Sequence, residues 1–109
     1  METTKLHVIQ YGRQTGFGDN FGIEPPVMGW INVKETPKTY RVQAGGEVNI
    51  YCSVINKDDL GYMRMGGYIV TTTKEQGIDI WNKLMRKYLD EAREKYEREL
   101  IKYTTSMIY

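Results

Sequence analysis

The sequence is poor in the residues that build metal and catalytic sites, with one cysteine, Cys52, and one histidine, His7, in 109 residues. Zinc sites and cysteine–histidine catalytic pairs need more such residues at suitable spacing, so neither is indicated. The adjacent carboxylates Asp58 and Asp59 follow a predicted strand, where a turn is a more typical role than acid–base chemistry. We therefore predict a protein that is not an enzyme and that holds no metal or cofactor.

Disulfides, long apolar runs and an excess of one charge are lacking as well. A lone cysteine cannot form an internal disulfide, which fits a reducing compartment. No stretch approaches the ~20 apolar residues that cross a membrane, and the N-terminal segment does not show the pattern of a signal peptide. The 15 basic and 14 acidic residues nearly cancel, unlike those of a strongly basic nucleic-acid-binding protein. We expect a cytoplasmic protein with no membrane partner.

Up to residue 73, the sequence contains a series of short β-prone segments. Each alternates apolar and polar residues or is rich in β-branched and aromatic ones, and turns with glycine, proline, asparagine or aspartate separate them. The predicted strands are Lys5–Tyr11, Val27–Glu35, Lys38–Gln43, Glu47–Ile55, Leu60–Met65 and Gly67–Thr73. We therefore predict a small antiparallel sheet of about four to six strands.

The stretch 71–103 predicts one long C-terminal α-helix. Thr72 and Thr73 are both good N-cap residues, and with Glu75 or Gln76 three residues on, either register completes a capping box. The helix would contain no proline and one glycine, Gly77. At 1.5 Å per residue it would be ~45 Å long, more than the ~34 Å diameter of a compact globule of this chain length. The sequence thus predicts a single α+β domain, with a β-sheet portion at 1–73 and the helix at 74–103.

The apolar pattern divides this helix near Leu89. Before that residue the apolar stripe is wide enough to cover a sheet face. After it the stripe narrows, and charged pairs spaced by four surround it. A narrow stripe is typical of a helix that packs along a partner helix, whereas the alternative is the frayed tail of a monomer. We predict a homo-oligomer that forms through the C-terminal helix, with an interface of Trp81, Tyr88, Ala92, Tyr96 and Leu100.

A glycine-rich loop, Gly12–Gly22, is the strongest candidate for a ligand site. It lacks the GxxxxGK[ST] pattern of a phosphate-binding loop. Its glycines would let the backbone approach a ligand closely, an arginine can hold a phosphate, and aromatic rings can stack on a base. The predicted nucleotide-binding residues are Arg13, Phe17, Asn20 and Phe21. The alternative is an ordinary mobile surface loop.

Tyrosines on the predicted strands suggest a second kind of binding. They are interleaved with basic residues, and the set comprises Tyr40, Tyr51, Tyr62 and Tyr68 with Lys38, Arg41, Lys57 and Arg64. Small sheet domains stack nucleic-acid bases on such residues. The near-neutral net charge counts against this function, because neutralisation of phosphates supplies most of the non-specific affinity. A regulator that binds single-stranded nucleic acid is therefore the alternative function.

Three short motifs resemble a class of small phage and prophage proteins. They are KETPKTYRV at 34–42, NKDDL at 56–60 and TTTKEQGIDIW at 71–81. Together they resemble accessory proteins of unknown function from low-GC Gram-positive hosts, which combine a strand pair, a short polar turn and a charged C-terminal helix. The resemblance carries no catalytic residue. It implies an accessory gene product in the host cytoplasm, and such products often counter host defence.

We accordingly expect a non-enzymatic, phage-type accessory binding protein with a counter-defence role. Its partner would be a host immune protein that it inhibits or a nucleotide signal that it sequesters. The alternatives are the nucleic-acid-binding regulator and a structural or assembly protein of a virion.

Overall fold

A computed structural model describes residues 3–16, 22–93 and 97–108 of the chain. Within these ranges the chain forms strands, two α-helices and one 3-10 turn at Lys57–Asp59. The strands are β1 (Thr3–Gln10), β2 (Gln14–Thr15), β3 (Gly22–Ile23), β4 (Val27–Glu35), β5 (Thr39–Gln43), β6 (Val54–Asn56) and β7 (Tyr68–Thr71). The helices are α1 (Lys74–Ala92) and α2 (Glu97–Thr105).

The main sheet has five antiparallel strands in the order β6-β5-β4-β1-β7, and β2 pairs with β3 in a separate hairpin. A helix of 19 residues, α1, follows the last strand. The predicted fold class, an α+β domain with a small antiparallel sheet followed by a long helix, is confirmed. No helix in the described part of the chain is long and apolar enough to cross a membrane.

The sheet has an apolar core on each of its two faces, because neighbouring residues of a strand point to opposite sides. Leu6 and Val8 of β1 point to one side, which we call the inner face, and Ile9 points to the other, the helix face. Val48, Ile50, Cys52 and Leu60, from the irregular segments before and after β6, pack on the inner face. Its buried residues are Leu6, Val8, Ile31, Val33, Tyr40, Ile55, Tyr68 and Val70.

On the helix face, α1 packs on β1 and β7. Its core consists of Ile9, Ile69, Trp81 and Met85, all at most 2% exposed. Gly77 lies where α1 comes nearest to the sheet, because an added Cβ would stand 2.8 Å from Thr71 Oγ1 and 3.2 Å from Ile9 Cδ1. The glycine that costs helix propensity therefore permits the close packing of helix on sheet. The predicted cap at Thr73 is confirmed, since its side chain accepts a hydrogen bond from Gln76 N at 3.2 Å.

The prediction that one helix continues to Tyr103 is wrong. α1 ends at Ala92, and α2 packs back against it, with the rings of Tyr88 and Tyr103 5.4 Å apart. The chain after α2 is fixed by hydrogen bonds, of which Trp81 Nε1 to Ser106 O is 2.7 Å long. Packing back buries aromatic surface that an overhanging helix would leave in water, where isolated helical turns are marginal.

Two predicted strands also differ from the structure. Of Glu47–Ile55 only the end belongs to a strand, β6, while Val48, Ile50 and Cys52 pack on the inner core from an irregular segment. Leu60–Met65 is not a strand either, but its backbone bonds to the free edge of β7, with Gly61 N donating to Val70 O at 2.8 Å. The apolar pattern correctly indicated that Val48, Ile50, Cys52 and Leu60 pack on the inner core, but it did not indicate that Tyr62 and Met65 are exposed.

Candidate functional site

The predicted nucleotide-binding loop is described only at its two ends. Arg13 is exposed, and its carbonyl oxygen accepts a hydrogen bond from Glu24 N at 2.9 Å. Phe17, Asn20 and Phe21 lie outside the described residues. Gly12 is buried at a chain crossing, since an added Cβ would clash with the backbone oxygens of Glu24 and Pro25. At least one glycine of this loop is thus needed for packing of the chain on itself, and the ligand set stays a prediction.

The predicted oligomer interface is largely occupied within the chain. Trp81 is 0% exposed and Ala92 is 4% exposed, so neither side chain is available to a second copy. Tyr88 is partly buried against Tyr103. Tyr96 and the side chain of Leu100 lie outside the described part of the structure. Of the five interface residues, Trp81 and Ala92 are therefore buried within the chain, and the homo-oligomer stays a prediction.

The four tyrosines of the predicted nucleic-acid platform do not form one exposed surface, although Tyr51, Tyr62 and Tyr68 line the same groove. Tyr40 and Tyr68 are buried in the inner core, whereas Tyr51 and Tyr62 are exposed. They divide because the first two point inward from strands and the others lie on turns that cover the same core. The platform predicted from these residues is therefore wrong.

The two residues whose side chains could have formed a catalytic pair, His7 and Cys52, lie apart from each other in the fold. His7 lies on the helix face, whereas Cys52 packs on the inner core at the opposite side of the sheet. Within the described ranges, no group of three or more histidine, cysteine or acidic side chains is placed to hold a metal ion. The sheet thus keeps His7 and Cys52 from forming a catalytic pair.

The turns over the inner face carry a cluster of large exposed side chains. Tyr51 is fully exposed, Met65 is 98% exposed and Tyr62 is 68% exposed. Together with Arg64 they surround an open groove of about 460 Å³. We call this set, Tyr51, Tyr62, Arg64 and Met65, the aromatic–methionine surface.

Arg64 is fixed at the centre of this surface. Its Nε donates to the hydroxyl of Tyr68 at 3.3 Å, and Nη2 donates to Cys52 Sγ at 3.4 Å. Its Nη1 lies 3.7 Å from Asp59 Oδ2. A guanidinium held by three neighbours loses little conformational entropy when a ligand binds, so Arg64 is preorganised for binding.

A tight turn between Arg64 and Tyr68 directs Met65 into solvent. Arg64 N donates to Tyr68 O at 2.8 Å, and Gly67 N donates to Arg64 O at 3.0 Å. Gly66 and Gly67 adopt φ values of 103° and 80°, which side chains with a Cβ rarely allow. The turn is therefore specified by the glycine pair, and the methionine before it cannot fold onto the core.

This surface was missed as a site by sequence reasoning, although a signal was present. The predicted strands Leu60–Met65 and Gly67–Thr73 meet at the pair Gly66-Gly67, so that Met65 is expected at the end of a strand. An unbranched apolar residue beside two glycines is a poor candidate for a buried strand position. A methionine placed at a turn would have pointed to an exposed binding residue.

Comparison with known proteins gives no relative for this arrangement. No protein-family model matches the chain, and no curated protein and no solved structure is significantly similar to it. The geometry of the described residues is therefore the basis on which a function can be argued.

Proposed function

We propose that the protein is a non-enzymatic binding protein that docks a partner protein on the aromatic–methionine surface. The observation that carries this proposal is the exposure of Tyr51, Tyr62 and Met65 around the fixed guanidinium of Arg64. Tyrosine, methionine and arginine are the residues enriched at the centres of protein interfaces. Their grouping on the turns of a rigid sheet supports a site for macromolecular recognition.

A protein partner fits the surface better than a small molecule or a nucleic acid. The groove is shallow and open, so it would leave much of a small ligand in water, whereas ligand pockets are mostly enclosed. Asp59 stands beside the single central cation and would repel a phosphate. Burying a methionine or aromatic side chain stabilises a complex by about 1.5–3 kcal/mol. Three such side chains would form the apolar centre of an interface with a partner protein.

The biological role that we propose is counter-defence by an accessory protein of a phage. It rests on the resemblance of residues 34–42, 56–60 and 71–81 to small phage proteins and on the site. In this role the partner is a host immune protein, which the aromatic–methionine surface would block. Sequestration of a nucleotide signal would require the loop residues Arg13, Phe17, Asn20 and Phe21 instead.

The proposal can be tested with a panel of Gram-positive strains that each carry one defence system. The protein is expressed in each strain, and phage plaques are counted. We expect the wild type to restore plaques on at least one strain and the variant Tyr51→Ser/Met65→Ser to lose this effect. Ile101→Ser, which removes an exposed apolar side chain from α2, is the matched control and should keep it.

Direct binding to the defence protein of the responsive strain then separates the possible mechanisms. Titration calorimetry should show a complex with the wild type and with Ile101→Ser, and none with the double variant. Restored plaques without any protein complex would contradict docking and favour sequestration of a nucleotide. Failure to restore plaques on every strain would count against the counter-defence role.

A further inference from the structure

We propose that the uncovered half of the helix face binds single-stranded nucleic acid. This is a further function, on the side of the sheet opposite to the aromatic–methionine surface, and it does not depend on the docking of a protein there. It relocates the nucleic-acid site from the tyrosines considered above to a different set of residues.

The helices cover only part of the helix face. Among the described elements, α1 packs on β1 and β7, whereas neither helix makes comparable contact with β4, β5 or β6. The strand register places polar and aromatic side chains side by side on this open half-face. They are Lys5, Trp30, Asn32, Lys34, Arg41 and Gln43.

The charges of the open half-face are of one sign. Lys34 and Arg41 are both exposed and stand directly opposite each other on neighbouring strands, an arrangement that destabilises a sheet. No carboxylate occupies a helix-face position of β1, β4, β5 or β6. Among ion pairs within the described ranges, none involves Lys5, Lys34 or Arg41. Neighbouring cations without a counter-charge are what an anionic ligand such as a phosphate would neutralise.

Trp30 supplies a ring for stacking next to these cations. It is partly exposed, and the ammonium of Lys5 lies 4.1 Å from the centre of its ring. Since Lys5 is exposed and its stem is flexible, it can leave the ring to a base and turn to a phosphate. Aromatic rings beside cationic residues are the general means by which sheets bind single strands.

The amides of Asn32 and Gln43 lie between the ring and the paired cations. Both make one hydrogen bond to a nearby carbonyl oxygen, of Ala44 and Arg41 respectively, and both bonds are exposed. Side-chain amides donate and accept, so they can bind base edges as well as phosphates. Along β4, Trp30, Asn32 and Lys34 are spaced by about 7 Å on one face, which forms a straight track for an extended strand.

An acidic protein segment is the competing occupant of this track. It would satisfy Lys34 and Arg41, but it would have no use for a stacking ring flanked by amides. The groove beside Trp30, of about 210 Å³, continues to Lys74 at the start of α1 and has Glu47 on its edge. The carboxylate of Glu47 limits the cationic track on that side. The combination of ring, amides and cations therefore favours nucleic acid.

Binding can be measured by fluorescence anisotropy with a labelled oligo(dT) of about 15 nucleotides at low salt. We expect the wild type to bind, and Lys34→Glu/Arg41→Glu to lose affinity at least about 10-fold. Arg86→Glu/Lys87→Glu is the matched control, because it changes net charge equally on the exposed side of α1. It should lose less than about 3-fold. Absence of binding by the wild type, or equal losses in both variants, would overturn the proposal.

Stacking has its own readout. The chain contains two tryptophans, and Trp81 is buried, so quenching of fluorescence by the oligonucleotide reports on Trp30. We expect quenching in the wild type and its loss in Trp30→Leu, with circular dichroism confirming that the variant is folded. Binding of a poly-glutamate peptide, measured in the same way, tests the alternative that the face recognises acidic protein segments. If it binds in a manner that depends on Lys34 and Arg41 while oligo(dT) does not, the face recognises acidic protein and the inference is wrong.

Discussion

The aromatic–methionine surface and the open half-face lie on opposite sides of one sheet and differ in how they present their side chains. On the first, turns project three large apolar side chains around a guanidinium that is already partnered. On the second, strands hold cations and amides flat in register, without carboxylates between them. A turn can project a side chain away from the rest of the domain, whereas a strand places its side chains at regular intervals on a flat face. The first geometry suits a contoured protein partner and the second an extended polyanion.

We expect both surfaces to rest on one scaffold that unfolds cooperatively. Trp81→Ala tests this, because Trp81 is fully buried between the sheet and α2 and donates to Ser106 O. Removing a buried tryptophan should lower the free energy of unfolding by about 3–5 kcal/mol. Urea unfolding followed by circular dichroism would measure it.

Trp30→Ala is the matched control for this variant, since Trp30 is only partly buried and should cost much less. We expect a single transition in both variants, shifted further for Trp81→Ala. Two separate transitions in Trp81→Ala would show that the helix face can unfold while the inner core stays folded. The two surfaces would then be independent units rather than two sides of one scaffold.

The affinities of the two surfaces for their ligands should depend differently on salt, an effect smaller than that of Trp81→Ala on stability. If Lys5, Lys34 and Arg41 each neutralise one phosphate, oligo(dT) affinity should fall about 10- to 20-fold between 50 and 200 mM salt. Docking of a protein on apolar side chains around one shielded cation should change less than about 3-fold over the same range. Titrations of both ligands at several salt concentrations would measure the two slopes. Equal slopes would remove the distinction that we draw between the surfaces.

How far the sequence predicts these features differs from element to element. The alternation in β1 and the cap at Thr73 were sufficient to place a strand and a helix start, because both depend on local spacing. The end of α1 was not predictable, since residues 93–97 contain neither proline nor glycine and the charged pairs suit one helix or two. What decides the outcome is the burial of Tyr88 against Tyr103, a contact between positions far apart in the chain.

The two candidate surfaces were missed for a related reason. The open half-face exists only because α1 is placed over β1 and β7, and its pairing of Lys34 with Arg41 follows from the strand register. Neither can be read without the sheet order. The aromatic–methionine surface depends on the Gly66-Gly67 turn, whose signal is local. That surface could therefore have been predicted from sequence, whereas the open half-face could not.

The smallest expected effect concerns the anchoring of Arg64. Tyr68→Phe removes the hydroxyl that accepts from Arg64 Nε while keeping the buried ring. A single hydrogen bond of this kind contributes about 0.5–1.5 kcal/mol. If anchoring prepares the guanidinium for docking, affinity for the defence protein found by the plaque assay should fall about 2- to 10-fold, as measured by calorimetry. Affinity for oligo(dT) should stay the same, because the hydroxyl lies on the other side of the sheet.

Tyr40→Phe provides the control for this experiment within the same core. Tyr40 is buried as deeply as Tyr68, and Lys57 Nζ lies 5.3 Å from the centre of its ring, whereas the hydroxyl that accepts from Arg64 Nε is that of Tyr68. Loss of partner affinity in Tyr68→Phe alone would tie docking to the orientation of Arg64. Equal losses in both variants would mean that general loosening of the inner core, and not the anchored cation, governs the aromatic–methionine surface. In that case the fixed position of Arg64 would not explain docking, and the proposed difference between this cation and the exposed cations Lys34 and Arg41 would be wrong.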